Sequence, residues 1–396
     1  MDTKALGEFY KDKLLNEVVP FWFPRSLDKE NGGLYHCYAA DGELVDTDKN
    51  VWAQGRMAWM LLTCYNSIEK NPLWMECAES ALKFLEEHCA DHEANRMYFH
   101  VAADGMPIRM RRYAYSECFA AIAWAAHYGA TGDPKSAERA RNWFGVFADI
   151  FFTPGKMTPK GTGKRPGENL GCRMIMLVTA QEMRRYLGDE GGVYTGWIDR
   201  CIDDLQRLFL HEDIQAVLEN VAPDGSVIDH FDERVLNPGH DIEGGWFVLE
   251  EARRRGGDKK LIEIGCKMID WALARGWDKK YGGLLYYTDV YNKPVQEYWH
   301  NMKFWWPHDE ALIGTALAYK MTGDEKYAEW HQRIHDWAFE HLQDKVHGEW
   351  YGYCNQDGST TNGLKGSMWK SFFHHPRALW CCAYYFGAIP DAKPLI

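Results

Sequence analysis

A short motif recurs along this chain and constrains its fold more than any other feature. Gly32-Gly33-Leu34-Tyr35-His36 runs into Asp41-Gly42, and Asn95-Arg96-Met97-Tyr98-Phe99-His100 into Asp104-Gly105. Val217-Leu218-Glu219-Asn220 leads to Asp224-Gly225, Gly282-Gly283-Leu284-Leu285-Tyr286-Tyr287 to Asp289, and Gly348-Glu349-Trp350-Tyr351-Gly352-Tyr353 to Asp357-Gly358. Each reads as a short apolar or aromatic strand closing near an Asp-Gly turn. The copies recur roughly every 60 residues, with one double gap between Tyr98 and Leu218. A degenerate copy, Lys156-Met157-Thr158-Pro159, falls near the middle of that gap and makes six units.

Between the copies stands a second mark. Thr131-Gly132-Asp133-Pro134, Gly188-Asp189, Gly256-Gly257-Asp258-Lys259 and Thr322-Gly323-Asp324-Glu325 each separate two stretches with helical periodicity. Glycine ends one helix and aspartate caps the next. The apolar period predicts about twelve helices, near 2–22, 49–69, 72–89, 113–130, 133–153, 168–187, 190–211, 239–255, 257–275, 303–322, 324–342 and 367–387. Six αα-hairpins form either a superhelical solenoid or a closed toroid. The closed form is an all-α (α/α)6 barrel with short β-hairpins in the loops at one mouth. No Pro-, Ser- or charge-rich linker interrupts the series, so residues 1–396 read as a single domain. The helices that follow the long loops are the expected inner ring, and their N-termini line the mouth where a ligand sits.

Composition narrows the function. The net charge is −12 with no basic cluster, which argues against nucleic acid and anionic membrane as partners. No apolar run is long enough to span a bilayer, and the first 24 residues are amphipathic rather than a secretory signal. Eleven scattered cysteines without a CxxC suit reduced thiols in a cytoplasm. The 18 tryptophans, 21 tyrosines and 18 phenylalanines allow either a large aromatic core or a carbohydrate site, since aromatic faces stack on the C–H faces of sugars.

Polar and aromatic residues gather at the starts of the expected inner helices. Trp52, Gln54 and Arg56 open the second helix, and Tyr113, Ser116 and Glu117 the fourth. Glu168, Asn169 and Arg173 open the sixth, and His240 and Glu243 the eighth. Lys303, Trp305, Trp306, His308 and Glu310 open the tenth, and Trp369, Lys370, His374 and Arg377 the twelfth. A core would place apolar residues there, so the convergence points to a functional mouth. His240 follows a Pro-Gly turn in the first turn of a helix, where the positive end of the helix dipole favours a neutral imidazole, and Glu243 lies one turn on to orient it. Of the adjacent His374 and His375, at most one faces the mouth. His308 precedes Glu310 by two residues and is expected to be structural. No tight metal-ligand pattern and no phosphate-binding loop of the GxxxxGK[ST] type is present; Lys160–Gly167 is a Gly- and Lys-containing loop that could touch an anion.

Four motifs together resemble those of the N-acylglucosamine 2-epimerase family. They are Asn301-Met302-Lys303-Phe304-Trp305-Trp306-Pro307-His308-Asp309-Glu310-Ala311, Asn237-Pro238-Gly239-His240-Asp241-Ile242-Glu243-Gly244-Gly245-Trp246-Phe247, Leu364-Lys365-Gly366 leading to Phe373-His374-His375-Pro376-Arg377, and Trp52-Ala53-Gln54-Gly55-Arg56. The resemblance runs from the first repeat to the last and implies the (α/α)6 barrel. It also implies epimerisation at C2 of an N-acylated hexosamine, N-acetylglucosamine with N-acetylmannosamine, on the ring-opened sugar. By carry-over His240 and His374 are the acid/base pair, with Arg56 and Glu310 as polar partners at O1 and C2. Glu243 orients His240, and Trp52, Tyr113, Asn169, Lys303, Trp306 and Trp369 bind substrate.

Two imidazoles on opposite faces of C2 suit proton removal and return near neutral pH, and no cofactor is required for that chemistry. The family resemblance adds two expectations: a homodimer, and ATP as an allosteric activator that is not consumed. Cellobiose 2-epimerases and aldose–ketose isomerases on this fold often carry an Asn-x-x-x-His run where this chain has Asn169-Leu170-Gly171-Cys172-Arg173, which lowers the neutral-sugar reading. Two other classes stay open: a glycoside hydrolase, which needs two mouth-facing carboxylates at a suitable spacing, and a non-catalytic sugar binder.

Overall fold

The computed structural model describes residues 1–158 and 162–390. Among the described residues twelve helical segments stand near where the periodicity places them, the last starting later than expected. The first runs Thr3–Lys13 and continues through a π turn into Val19–Trp22. Val51–Ser67, Tyr115–Thr131, Leu170–Leu187, Pro238–Arg254, Trp305–Thr322 and His374–Tyr385 each pack against the next in that order, and the last returns to the first. That closure makes a ring of six inner helices. Pro72–Phe84, Pro134–Phe152, Val193–Asp204, Lys259–Gly276 and Glu325–His341 each back the inner helix they follow, and the N-terminal helix backs His374–Tyr385. The two ends of the chain therefore supply the sixth hairpin, and the closed toroid, not the solenoid, is the fold.

The two rings differ as their sequences require. Outer helices bury one stripe: Lys259–Gly276 buries Leu261, Ile264, Gly265, Met268, Ile269, Ala272 and Leu273, spaced three and four apart. Inner helices are buried all round, as Tyr115–Thr131 is without a break from Ser116 to His127. The tightest crossing is between Pro238–Arg254 and Lys259–Gly276, where a Cβ on Gly265 would come within 2.6 Å of the Gly245 carbonyl oxygen. The Gly-Asp punctuation acts as expected: Gly132 and Gly323 end helices in the left-handed conformation, and Asp133, Asp258 and Asp324 cap the helices that follow.

The recurring strands are shorter than their sequences suggest. Pairings at Leu27 with Leu34, Ala90 with Met97, Leu210 with Val217, Trp277 with Leu284 and Gln343 with Trp350 hold them. The Asp-Gly turns follow, with Gly42, Gly105, Gly225 and Gly358 all near φ +90°. Lys156–Thr158 form a turn with no strand partner among the described residues, and Pro159 lies outside them. Among the described residues no helix is long and apolar enough to cross a membrane, and all eleven cysteines are free.

Three buried lysines tie these loops to the ring. Lys49 reaches Asp28 at 2.7 Å, Lys303 reaches Asp278 at 2.9 Å and Lys365 reaches Asp344 at 3.0 Å. Each ammonium also donates to a glycine carbonyl of the same loop, Gly32, Gly283 or Gly348. Lys303 is therefore not a mouth residue. It is wholly buried, does not line the cavity described below, and is pulled down to about 8 by burial despite Asp278. His308 is structural as expected, accepting the Leu284 amide proton on Nε2 and donating from Nδ1 to the Phe304 carbonyl.

Candidate active site

The loops and the inner-helix N-termini enclose one cavity of about 850 Å³. Its lining includes Trp52, Arg56, Tyr113, Asn169, His240, Glu243, Trp306, Trp369 and His374, the expected residues from all six inner units. Trp369 lies in the loop before the twelfth helix, because that helix starts at His374 rather than near 367. Glu310 sits just behind the wall, fully buried. Arg173 faces away from the cavity, paired with Glu168 and Asp204. Gln54 and Glu117 are also structural: Gln54 bonds the Leu34 backbone and Glu117 pairs with Arg96.

His240 is held by local sequence on one side and by a strand on the other. Asn237 caps the helix, accepting the His240 amide proton at 3.3 Å. The Nδ1 of His240 lies 3.0 Å from Glu219. Glu219 is placed there by the pairing of Asn220–Val221 with Glu168–Asn169, and by the Leu170 amide, which donates to its carbonyl. Asn169 adds a side-chain bond to Asn220 at 2.9 Å. The expected partner, Glu243, instead accepts from Arg377 at 2.6 Å. The carboxylate at Nδ1 is thus delivered by another loop, and the one a turn away is engaged by Arg377.

This changes the charge state of the histidine. Burial disfavours imidazolium, but Glu219 at Nδ1, with Glu243 and Asp241 behind it, outweighs burial and lifts His240 to about 9. The neutral base expected from the helix dipole is thus a protonated group at neutral pH. A third of its side chain stays open to the cavity.

His374 has the opposite environment. Its Nδ1 lies 2.7 Å from Glu310, leaving Nε2 as the nitrogen a ligand can meet. Burial and the nearby cations Arg377 and Arg56 push it well below the ordinary imidazole value, so it is neutral. Trp306 packs against both histidines, 5.1 Å from the ring of His240 and 5.8 Å from that of His374. His375 turns away to Asp309 at 2.9 Å and stacks on Trp350, which leaves one of the adjacent histidines in the cavity as helical geometry demands.

Arg377, one turn after His374, bridges Glu243 and Glu310 at 2.6 Å each. Arg56 is clamped between the rings of Phe119 and Phe373, 4.2 and 4.7 Å from its guanidinium. Its Nε is buried without a partner, and burial draws it down to about 10. A planar cation held only by aromatic faces keeps its donor edge for a ligand oxygen. Glu243, Glu310 and His374 each bring one atom within 4.8 Å of the others, a spacing that could hold a metal ion. Arg377 already occupies both carboxylates and Arg56 adds a second positive charge beside them, which disfavours a further cation at these atoms.

Several cavity residues were not singled out in the sequence: Glu219, Arg112, Tyr286, Tyr287, Trp299 and Tyr353. Glu219 lies within one of the repeated motifs, in the bend between Ala216–Val217 and Asn220–Val221, where alternation in the sequence signals only which side chains are buried. Arg377 stands among the mouth residues in the sequence, and its i+3 spacing from His374 is the signal that pairs them.

Residues 33–378 match the family model described as N-acylglucosamine 2-epimerase (GlcNAc 2-epimerase). The chain is 33% identical over 388 residues to the N-acylglucosamine 2-epimerase of Bos taurus, covering 94% of this chain and 90% of that protein. It is 26% identical over 410 residues to the cellobiose 2-epimerase of Bacteroides fragilis, covering 95% and 98%. Among solved structures, the cellobiose 2-epimerase from Bacillus thermoamylovorans superposes with a TM-score of 0.83 at 22% identity, covering 96% of this chain and 99% of that one, which shows the barrel fold. With the family model matched along most of its length, the chain belongs to the N-acylglucosamine 2-epimerase family.

Proposed function

We propose that this isomerase inverts C2 of an N-acylated hexosamine, interconverting N-acetylglucosamine and N-acetylmannosamine. The observation that carries the reading is the opposite charge state of two histidines facing one cavity, each with Nδ1 on a carboxylate. In the ring-opened sugar, neutral His374 takes the C2 proton through Nε2. The C2–H electron pair forms the C1–C2 double bond and charge moves to O1, where Arg56 stabilises it. His240, protonated, returns a proton to the other face of C2, and the O1 charge collapses back to the aldehyde. Starting from the other epimer, the two imidazoles exchange roles, so the pair works with one proton between them.

The carboxylates favour this over glycoside hydrolysis. Glu219, Glu243 and Glu310 are each committed to a histidine or to Arg377, and none is left as a free acid for a leaving group. Arg173, where neutral-sugar members often carry a histidine, is paired with Glu168 and Asp204 and puts no third imidazole into the cavity. We further read the chain as one catalytic domain acting as a homodimer in the cytoplasm, consistent with its free thiols. ATP is proposed as an activator only. The loop that suggested an anion contact begins at Lys160-Gly161, outside the described residues, and its described part, Thr162–Gly167, is exposed.

The test is incubation of the protein with each N-acetylhexosamine in deuterated water, with and without ATP. Deuterium is expected at C2 of both epimers, and its absence under both conditions sinks the reading. His240→Ala and His374→Ala should each lower turnover by about 10²–10⁴-fold. Unchanged exchange in both would point away from this chemistry.

A further inference from the structure

The cavity does not end at the histidines. Arg56, Glu243 and Glu310 all lie in the second turn of their helices, and Arg377 lies just after His374. Below them the lining continues along Leu170–Leu187 from Met174 to Glu182, and along His374–Tyr385 from Arg377 to Tyr385. Eight residues at the helical rise carry the cavity about 12 Å beneath the charged layer. The walls of this lower chamber are Trp59, Ile122, Ile175, Val178, Phe247 and Cys381.

The polar groups at its floor are already satisfied. Glu182 accepts from Trp59 Nε1 at 2.7 Å and from Arg185 at 3.2 Å. Tyr385 donates to Glu250, and Thr179 donates to the Ile175 carbonyl at 2.6 Å. A hydroxyl-bearing chain entering this space would leave its hydroxyls without partners, at a cost an apolar group does not incur.

C2 of the substrate must lie between His240 and His374, with O1 at Arg56. Two other arms then leave C2: the hydroxyl-rich C3–C6 chain and the acylated nitrogen. The mouth offers the polar rim of Tyr113, Asn169, Tyr287 and Arg112, and the chamber offers hydrocarbon and thiol. We infer that the C3–C6 chain points to the mouth and the acyl group descends into the chamber, so that Ile122, Ile175, Val178 and Phe247 set which N-acyl groups the enzyme accepts. The inference rests on the functional reading above. Because the chamber extends beyond the first layer of wall residues, acyl chains longer than acetyl fit.

The experiment compares kcat/KM for N-acetyl-, N-propanoyl- and N-butanoylglucosamine, with 6-O-methyl-N-acetylglucosamine as the probe of the other arm. Val178, partly exposed to the cavity, is changed in both directions. Val178→Phe should lower the N-butanoyl to N-acetyl ratio by roughly tenfold or more, the discrimination an apolar pocket makes per methylene. Val178→Ala, which does not crowd the barrel, should raise that ratio. The 6-O-methyl to N-acetyl ratio should stay as in the parent for both variants. An acyl-length ratio that neither variant moves, or a 6-O-methyl ratio that falls selectively in Val178→Phe, would overturn the inference. A parent enzyme that exchanges no deuterium at C2 of any of these sugars fails the functional reading first, which separates the two failures.

Discussion

His240 and His374 are the same residue type in one cavity, yet their surroundings set them apart. Glu219 and the carboxylates behind it hold a proton on His240 to about 9, while burial with Arg377 and Arg56 strips His374. One proton shared by two bases is the working state, and it is lost when His240 deprotonates. The kcat/KM in both directions should therefore fall above pH about 9, with the same profile for both epimers because their ratio is the equilibrium constant. Glu219→Gln removes the charge but keeps the shape. The alkaline limb should then move down toward the ordinary imidazole value near 6.5, read from pH–rate profiles of variant and parent. An unmoved limb would leave Glu219 as packing alone. The histidines were legible as residue types at helix starts, and Arg56 likewise. Glu219 and Arg377 were not legible in these roles, since the first is 21 residues from His240 and the second earns its place by bridging Glu243 and Glu310 from different helices.

At the scale of elements, helices were readable because their signals are local. Gly-Asp turns cap and uncap adjacent helices through bonds spanning a few residues, as Asp324 does with the Lys326 amide. The start of the last helix was misplaced because Met368-Trp369-Lys370 carries helical composition but is pinned in a loop, with the Lys370 ammonium on Glu349 at 2.9 Å. Lys303 was misread for the same reason: a charged residue at a helix start looks functional until its partner Asp278 is known. Helix contacts have their own test. Gly265→Ala gains about 1 kcal/mol of helix propensity, but its methyl would sit 2.6 Å from the Gly245 carbonyl oxygen. Overpacking of this kind costs about 1–3 kcal/mol, so the expected result is a lower Tm in thermal unfolding with catalysis retained in the folded fraction. A raised Tm would mean that the two helices can separate freely.

The whole molecule is closed by its termini, and buried neutral histidines stand at its joints. Tyr10 of the first helix bonds His331 Nε2 at 2.7 Å and His335 Nδ1 at 2.8 Å, locking the N-terminal helix to the outer helix Glu325–His341. His36 and His308 each accept a backbone amide proton on Nε2, from Asn50 and Leu284, so protonation would set N–H against N–H. Burial is the leading cause that holds His36 down to about 4 and His308 and His331 to about 3. Their unfolded counterparts titrate near 6.5. The stability they contribute is full above pH 6.5 and is lost as pH falls toward 3–4. Denaturant midpoints should therefore decline steadily below pH 6.5, and a flat profile down to pH 4 would contradict this burial. By itself the sequence determined the twelve helices, the six-fold repeat, the family motifs and the residue types at the mouth, because each is written in short local signals or in their recurrence along the chain. Only the tertiary structure decided that the ring closes, that His240 answers to Glu219 rather than Glu243, and that Lys303 is a tie rather than a ligand. Those outcomes depend on groups far apart in the chain meeting in a medium where an unpaired charge is costly.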